Sequence, residues 1–335
     1  MSRAQLTSTV EQNTGGAVSP YVAGKNKVIN GDMSISQRGQ SFTYGAGGYT
    51  LDRYTYAVAS AIPSGTITQQ AFTAGTAPVA GYESSYFFRS NITAANGCTN
   101  ITLENKIEDV RTFAGQTVTL SCWVKTDAAT TFNVVLVQNF GSGGSGSVNT
   151  NAMISVTTTS GWVRYTGTLT VPSVAGKTIG AGSNLSVYFV LPNSGGFIRV
   201  GTFDLWGVQL EAGSVATPFT TASGTLSGEL AACQRYFINF TGSASTPSMG
   251  AANTTAVNRV PFPLPVTMRT TPSASYSGTP QLYDGVTVTN ISSLGSVYLS
   301  NSLCCVDISA ASGLTQYRPY LLYFNSGTIN LNAEL

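Results

Sequence analysis

From Lys27 to Leu210, apolar and polar residues alternate in short runs divided by turn signals. A period of two is what a half-buried strand requires, because successive side chains point to opposite faces of the pleat. The pattern predicts strands over 65–72, 84–92, 100–106, 117–125, 131–138, 152–157, 162–169, 185–191 and 196–210. Met33 and Ile35 alternate against Ser34 and Ser36, and Tyr54, Tyr56 and Val58 share a face. Turns are marked by Ala74-Gly75, Asn96-Gly97, Ala114-Gly115, the loop 141–147 and Ser160-Gly161. About ten strands at this spacing predict a jelly-roll β-sandwich. In Val208-Gln209-Leu210 a polar residue facing outward is flanked by inward apolar ones, and Gly213 and Pro218 then end regular pairing. That run reads as the last strand of one domain and the chain's exit from it.

Beyond it, Ser227 caps a short predicted helix with Glu229 in its first turn and Leu230, Cys233 and Phe237 on one face. A strand over 238–241 follows, then a loop or edge over 242–256. Residues 259–267 (RVPFPLPVT) carry proline at every second position, which predicts an edge strand or extended segment. Runs over 273–277, 286–291, 297–303 and 317–331 complete a smaller β-domain. The expected architecture is all-β: an extended arm (1–26), a jelly-roll β-sandwich (27–222), a short helix, then a smaller C-terminal β-sandwich within 223–335. The arm, rich in Thr, Ser and Gly, is either a disordered tail or a segment ordered along a neighbouring subunit.

Charged residues make up only 9% of the chain and net charge is +2, so nothing suggests a nucleic-acid or anionic-membrane footprint. A run of about 18 apolar residues, as a membrane span requires, is missing, so membrane insertion is not expected. The N-terminus lacks the apolar core of a signal peptide, which points to synthesis in the cytoplasm. Cys98, Cys122, Cys233, Cys304 and Cys305 are odd in number and lack metal-site spacing, so buried thiols are expected.

The chain contains no histidine, which removes Ser-His-Asp and Cys-His catalysis. Glycoside hydrolysis would need only two carboxylates about 5–9.5 Å apart. Glu104, Glu108, Asp109, Asp204 and Glu211 are the candidates, and Glu104, Glu108 and Asp109 read more simply as a solvated, salt-paired connection with Lys106 and Arg111. Sugar binding calls for exposed aromatic faces beside hydroxyl and amide groups. Tyr276, Tyr283, Tyr298, Tyr317 and Tyr320 are the candidates in the C-terminal domain, whereas Trp123 and Trp206 alternate as core residues.

Asn30-Gly31-Asp32 with Gln37-Arg38-Gly39, Asp52-Arg53-Tyr54, Ala114-Gly115-Gln116-Thr117-Val118 and Ser121-Cys122-Trp123-Val124-Lys125 resemble segments of bacteriophage virion proteins. So do 207–219 (GVQLEAGSVATPF), Cys233-Gln234-Arg235-Tyr236 and the terminal Ala333-Glu334-Leu335. These are tail-fibre and receptor-binding proteins with a jelly roll like that of carbohydrate-binding modules. The resemblance implies a non-enzymatic virion protein, assembled in the bacterial cytoplasm, that docks to other virion proteins through residues 1–26. It also implies a homotrimer presenting its β-domains to host surface polysaccharide. A decoration protein without host contact and a polysaccharide-degrading tailspike are the alternatives. The resemblance further suggests a structural Ca2+ held by Asp32 and Asp204, against a simpler reading in which Asp32 makes an Asx turn and Asp204 caps a local amide.

Overall fold

A computed structural model describes residues 23–79, 82–241, 245–300 and 302–335, which are mostly β-strand with one short helix. The chain divides into two units, one ending at Glu229 and the other spanning Leu230–Leu335. The expected arm lies, up to residue 22, outside the described residues. Its last residues belong to the first unit. Asn26 is buried, its amide donating to the carbonyls of Val208 and Thr220 while its oxygen accepts from the Val28 and Leu210 amides.

The first unit is a β-sandwich of two antiparallel six-stranded sheets. One contains, in spatial order, β1 (Ser41–Thr43), β4 (Ser64–Ala71), β5 (Tyr86–Ala94), β14 (Gly201–Ala212), β7 (Thr117–Thr126) and β10 (Val163–Thr170). The other contains β2 (Gly47–Tyr49), β3 (Tyr54–Ala59), β6 (Asn100–Glu108), β11 (Asn184–Val190), β8 (Thr131–Asn139) and β9 (Val148–Thr157). A small hairpin pairs β12 (Asn193–Ser194) with β13 (Phe197–Ile198). The core lies between the sheets. Leu103, Val134, Leu136, Val187 and Phe189 on one side meet Leu120, Val124, Leu205 and Leu210 of the other, all buried. Each such side chain contributes about 1.5–3 kcal/mol relative to exposure.

In β14, a bulge between Trp206 and Gln209 resets the phase of the strand. Gly207 sits there at φ 63°, and a Cβ on it would stand 2.7 Å from the Trp123 ring. The extra residue keeps Val208 and Leu210 in the core while Trp206 faces the other way; without it, every later side chain would switch faces. The expected exit from the domain is a return. Residues 213–221 fold back over the outer face of the sheet, where Phe219 closes a second apolar cluster with Phe87, Trp123 and Trp206. Gln209 therefore points away from the main core but is buried, binding Glu211 and the Thr220 amide.

The alternation at Met33 and Ile35 is not a strand. Asn30 and Met33 take positive φ, and the Asn30 side chain binds both the amide and the carbonyl of Ile35, which holds the segment as a turn.

Helix α1 (Leu226–Gln234) is capped by Thr225 rather than Ser227, since the Thr225 hydroxyl accepts from the Gly228 amide at 3.1 Å. The second unit is one antiparallel sheet of β15 (Phe237–Thr241), β16 (Ser245–Ala252), β17 (Val257–Pro263), β18 (Ser273–Tyr283), β19 (Val288–Leu299), β20 (Leu303–Ala310) and β21 (Pro319–Asn332). β18 also pairs with β21, so the sheet closes on itself around Val260, Phe262, Val306, Ile308, Leu322 and Phe324. The proline-rich β17 is not an edge strand, because it pairs with both β16 and β20. Its pairing with β16 involves Asn258 and Arg259, so Pro261 and Pro263 lie past the stretch where an amide donor is needed on that side.

Candidate functional site

In β11 the residues Leu185, Val187 and Phe189 enter the core, and a period of two then sends Asn184, Ser186 and Tyr188 to the outer face. Register fixes their neighbours. Tyr188 lies opposite Glu104 of β6 and Val135 of β8, Ser186 opposite Lys106 and Val137, and Asn184 opposite Glu108 and Asn139. The Ser186 hydroxyl is 2.5 Å from Glu104 Oε1 and 2.7 Å from Asn184 Oδ1, with one proton to give to either. Asn184 and Ser186 are buried although they face away from the core, whereas Tyr188 is half-exposed. Burial, then the Glu104 charge and a hydrogen bond to that carboxylate, push the Tyr188 hydroxyl up to about 12. The result is an aromatic ring beside a carboxylate, a hydroxyl and amides, held on three adjacent strands.

Away from that face, a concave region of about 350 Å3 is lined by Asp32, Ser34, Tyr82, Ser84, Thr221 and Thr225, among others. Behind it, Glu229 turns inward instead of lying at the helix surface. It is buried, and its carboxylate accepts from the Asn30 amide at 2.7 Å and from the amide and hydroxyl of Ser223 at 2.6 and 2.9 Å. Burial raises the pKa of Glu229 above 4.5 against these hydrogen bonds, with the Asp32 charge adding to the rise. Burial likewise raises Asp32 above 3.8, opposed by Ser34. For Glu211 burial also acts upward, but hydrogen bonds from Thr217, Gln209 and Lys25 outweigh it and hold the group below its ordinary value.

These shifts set the pH response of the first unit. An acid whose pKa is raised by folding binds its proton more tightly folded than unfolded, so stability falls as pH rises through the window above 3.8 and 4.5. Glu211 acts oppositely, as does Asp127 with its hydrogen bonds from Arg199 and the Thr202 amide, and their contributions are lost as pH falls below 4.5 and 3.8. Thermal unfolding across pH should show stability rising on mild acidification and then dropping. Asp32→Asn should flatten the rise, and an unchanged profile in that variant would contradict the assignment.

The structure does not bring Asp32 and Asp204 together as one donor set in that groove. Asp204 does not line that groove; it is fully buried, and its two oxygens accept from Arg89 Nε and Nη2 at 2.7 and 2.8 Å. No group of three or more acidic, thiol or imidazole side chains able to hold a metal occurs among the described residues. Of the expected tyrosines, Tyr320 is in the core, its hydroxyl accepting from the Thr315 amide. Tyr298 lies under the Arg259 guanidinium, 4.1 Å from the ring centroid. The hydroxyls of Tyr276 and Tyr283 donate to the carbonyls of Ser292 and Gly285, and Tyr317 stands 80% exposed. These five do not form one platform. Trp123 and Trp206 are buried, in the outer aromatic cluster and not between the sheets.

Tyr188 is the residue the sequence reading passed over. Its signal is the strict alternation in NLSVYFV, which puts two small polar residues and one aromatic on a single face.

No family model matches this chain, and the search of curated proteins found no match. Among solved structures, the enzymatically active domain of tailspike protein 4 from bacteriophage CBA120 is similar at TM-score 0.36 and 17% identity, covering 58% of this chain. The match spans only 22% of that tailspike chain. The CBM22-1 xylan-binding domain of Paenibacillus barcinonensis Xyn10C is similar at TM-score 0.34 and 12% identity, over 58% of this chain and 100% of the domain. A CBM4 structure is similar at TM-score 0.33 and 18% identity, over 56% of this chain and 99% of its own.

Proposed function

We propose that this chain is a non-catalytic bacteriophage virion protein, of the tail-fibre or receptor-binding kind, that binds host surface polysaccharide through the outer face of β6, β11 and β8. The observation that carries the reading is Tyr188 beside Glu104 and Ser186. An aromatic ring offers an apolar surface to the CH face of a sugar, while the carboxylate next to it accepts hydrogen bonds from sugar hydroxyls and the buried Ser186 hydroxyl holds that carboxylate in place. Held on strands rather than loops, these groups lose little freedom on binding. The phage assignment comes from the resemblance of the sequence motifs.

Two features support binding without hydrolysis. Glu104 and Glu108 share a strand four residues apart, about 13 Å at a rise of about 3.3 Å per residue, which exceeds the roughly 5–9.5 Å of a hydrolytic pair. Asp204 and Glu211 are buried and ion-paired to Arg89 and Lys25, and Asp109 is paired to Arg111.

Affinity electrophoresis of the full chain in gels containing host surface polysaccharide tests the reading. Wild type should be retarded, and Tyr188→Ala and Glu104→Gln should each weaken retention by roughly tenfold or more, about 1.4 kcal/mol per decade. Tyr276→Ala and Tyr317→Ala should leave it unchanged. Retention lost only in the latter two would move binding to the second unit, and shortening of the polysaccharide would replace binding with hydrolysis.

A further inference from the structure

The exterior of the second unit is unusual for a surface in water. Only seven charged residues, and no lysine, occur between Leu230 and Leu335. Because Val260, Phe262, Cys304 and Val306 fill the inside, the period of two places Pro261 and Cys305 outside. Register then aligns apolar side chains on neighbouring strands: Tyr298 stands opposite Cys305, Cys305 opposite Pro261, and Leu303 opposite Pro263. Met249 on β16 extends this strip at 55% exposure, with Tyr298 at 46% and Leu303 at 36%. Contiguous apolar area of this kind marks an interaction surface.

We propose that the outer face of β16, β17, β20 and β19 is the surface through which this chain associates with a second copy of itself. Charge decides the occupant. Of the charged side chains on these strands, Arg259 and Asp307 satisfy each other, at 2.7 and 3.0 Å, and Arg259 also donates to the Tyr298 hydroxyl at 2.9 Å. The face is therefore neutral, with its charged groups paired within one copy. It offers nothing to steer in a strongly charged partner, and copies gathered around a rotation axis by this neutral face meet without opposing like charges. Four strands at about 4.8 Å spacing and seven residues at about 3.4 Å each present a patch of several hundred Å2, on the order of the roughly 800 Å2 per partner of a stable interface. The guanidinium over Tyr298 also covers the ring face that a sugar would need.

Cys305 provides a native probe, because the other four cysteines are buried. Sedimentation velocity of the full chain, run across a roughly hundredfold dilution with maleimide labelling of Cys305 in parallel, tests the proposal. Wild type should sediment as more than one copy, with Cys305 labelled several-fold more slowly in concentrated than in dilute protein. Met249→Lys and Leu303→Glu, both exposed changes, should give single copies with unchanged circular dichroism and uniformly fast labelling. A wild-type chain that is a single copy throughout, with labelling independent of concentration, would overturn the proposal. So would an assembly that survives both substitutions, or a single-copy chain whose Cys305 is protected by neutral phosphatidylcholine vesicles. If a variant fails to fold, the concentration dependence of wild-type labelling decides alone.

Discussion

Trp206→Ala will lower the stability of the first unit by about 4 kcal/mol, within the range for deleting a fully buried large aromatic. Trp206 is 0% exposed. Its ring lies 5.0 Å from Phe219, 5.1 Å from Trp123 and 5.7 Å from Tyr82, centroid to centroid, and its Nε1 donates to the Ser84 hydroxyl at 2.7 Å. These neighbours come from different segments: Phe219 from the returning tail, Tyr82 and Ser84 from the connection before β5, and Trp123 from β7. Removing the ring leaves a void that a rigid sheet cannot collapse into, and it leaves the roof of the sheet without its main contact. Urea unfolding of wild type and variant measures the loss, and limited proteolysis should cut first within 213–221. A loss below about 1 kcal/mol would mean that the outer cluster is not a second core.

Arg89→Ala is expected to cost about 3–5 kcal/mol, the range for stripping one partner from a buried ion pair. The carboxylate of Asp204 is fully enclosed and takes its two shortest contacts from Arg89. With the guanidinium gone, the enclosed Asp204 carboxylate loses its ion-pair partner, and that cost falls on the folded state. The double variant Arg89→Ala with Asp204→Leu should recover part of the loss, since it removes the stranded charge. A double variant as unstable as the sum of the single changes would show that the two residues act independently. If Ca2+ at neutral pH rescued Arg89→Ala, Asp204 would be a latent cation ligand.

The strands were legible because burial on one side of a sheet forces a period of two. From 100 to 139, and again at 185–191, expected and observed strands agree to within a few residues. What escaped depends on register or on contacts distant in sequence. Asp204 and Arg89 are 115 residues apart and meet only because β14 and β5 pair with those two residues opposite each other. Gly207 reads as an ordinary strand residue until the bulge shows why Val208 and Leu210 remain in phase with the core. Thr225 and Ser227 are both capping types, and the choice shows only in the contact of the Thr225 hydroxyl with the Gly228 amide, while Glu229 turns inward to Asn30 and Ser223. Tyr320 was grouped with the exposed tyrosines, although its alternation with Leu322 and Phe324 marks it as inward. Tyr188 obeys the same rule from the other side, since its neighbours Val187 and Phe189 are the inward residues.

The account stands or falls on where polysaccharide touches the chain. Hydrogen–deuterium exchange of the full chain, with and without a host polysaccharide that retards it, reads that surface without choosing residues in advance. The account predicts added protection confined to β6, β11 and β8, around Tyr188 and Glu104, with β19 and β20 unchanged. Protection centred on the groove lined by Asp32, or on the second unit with β11 unaffected, would contradict it.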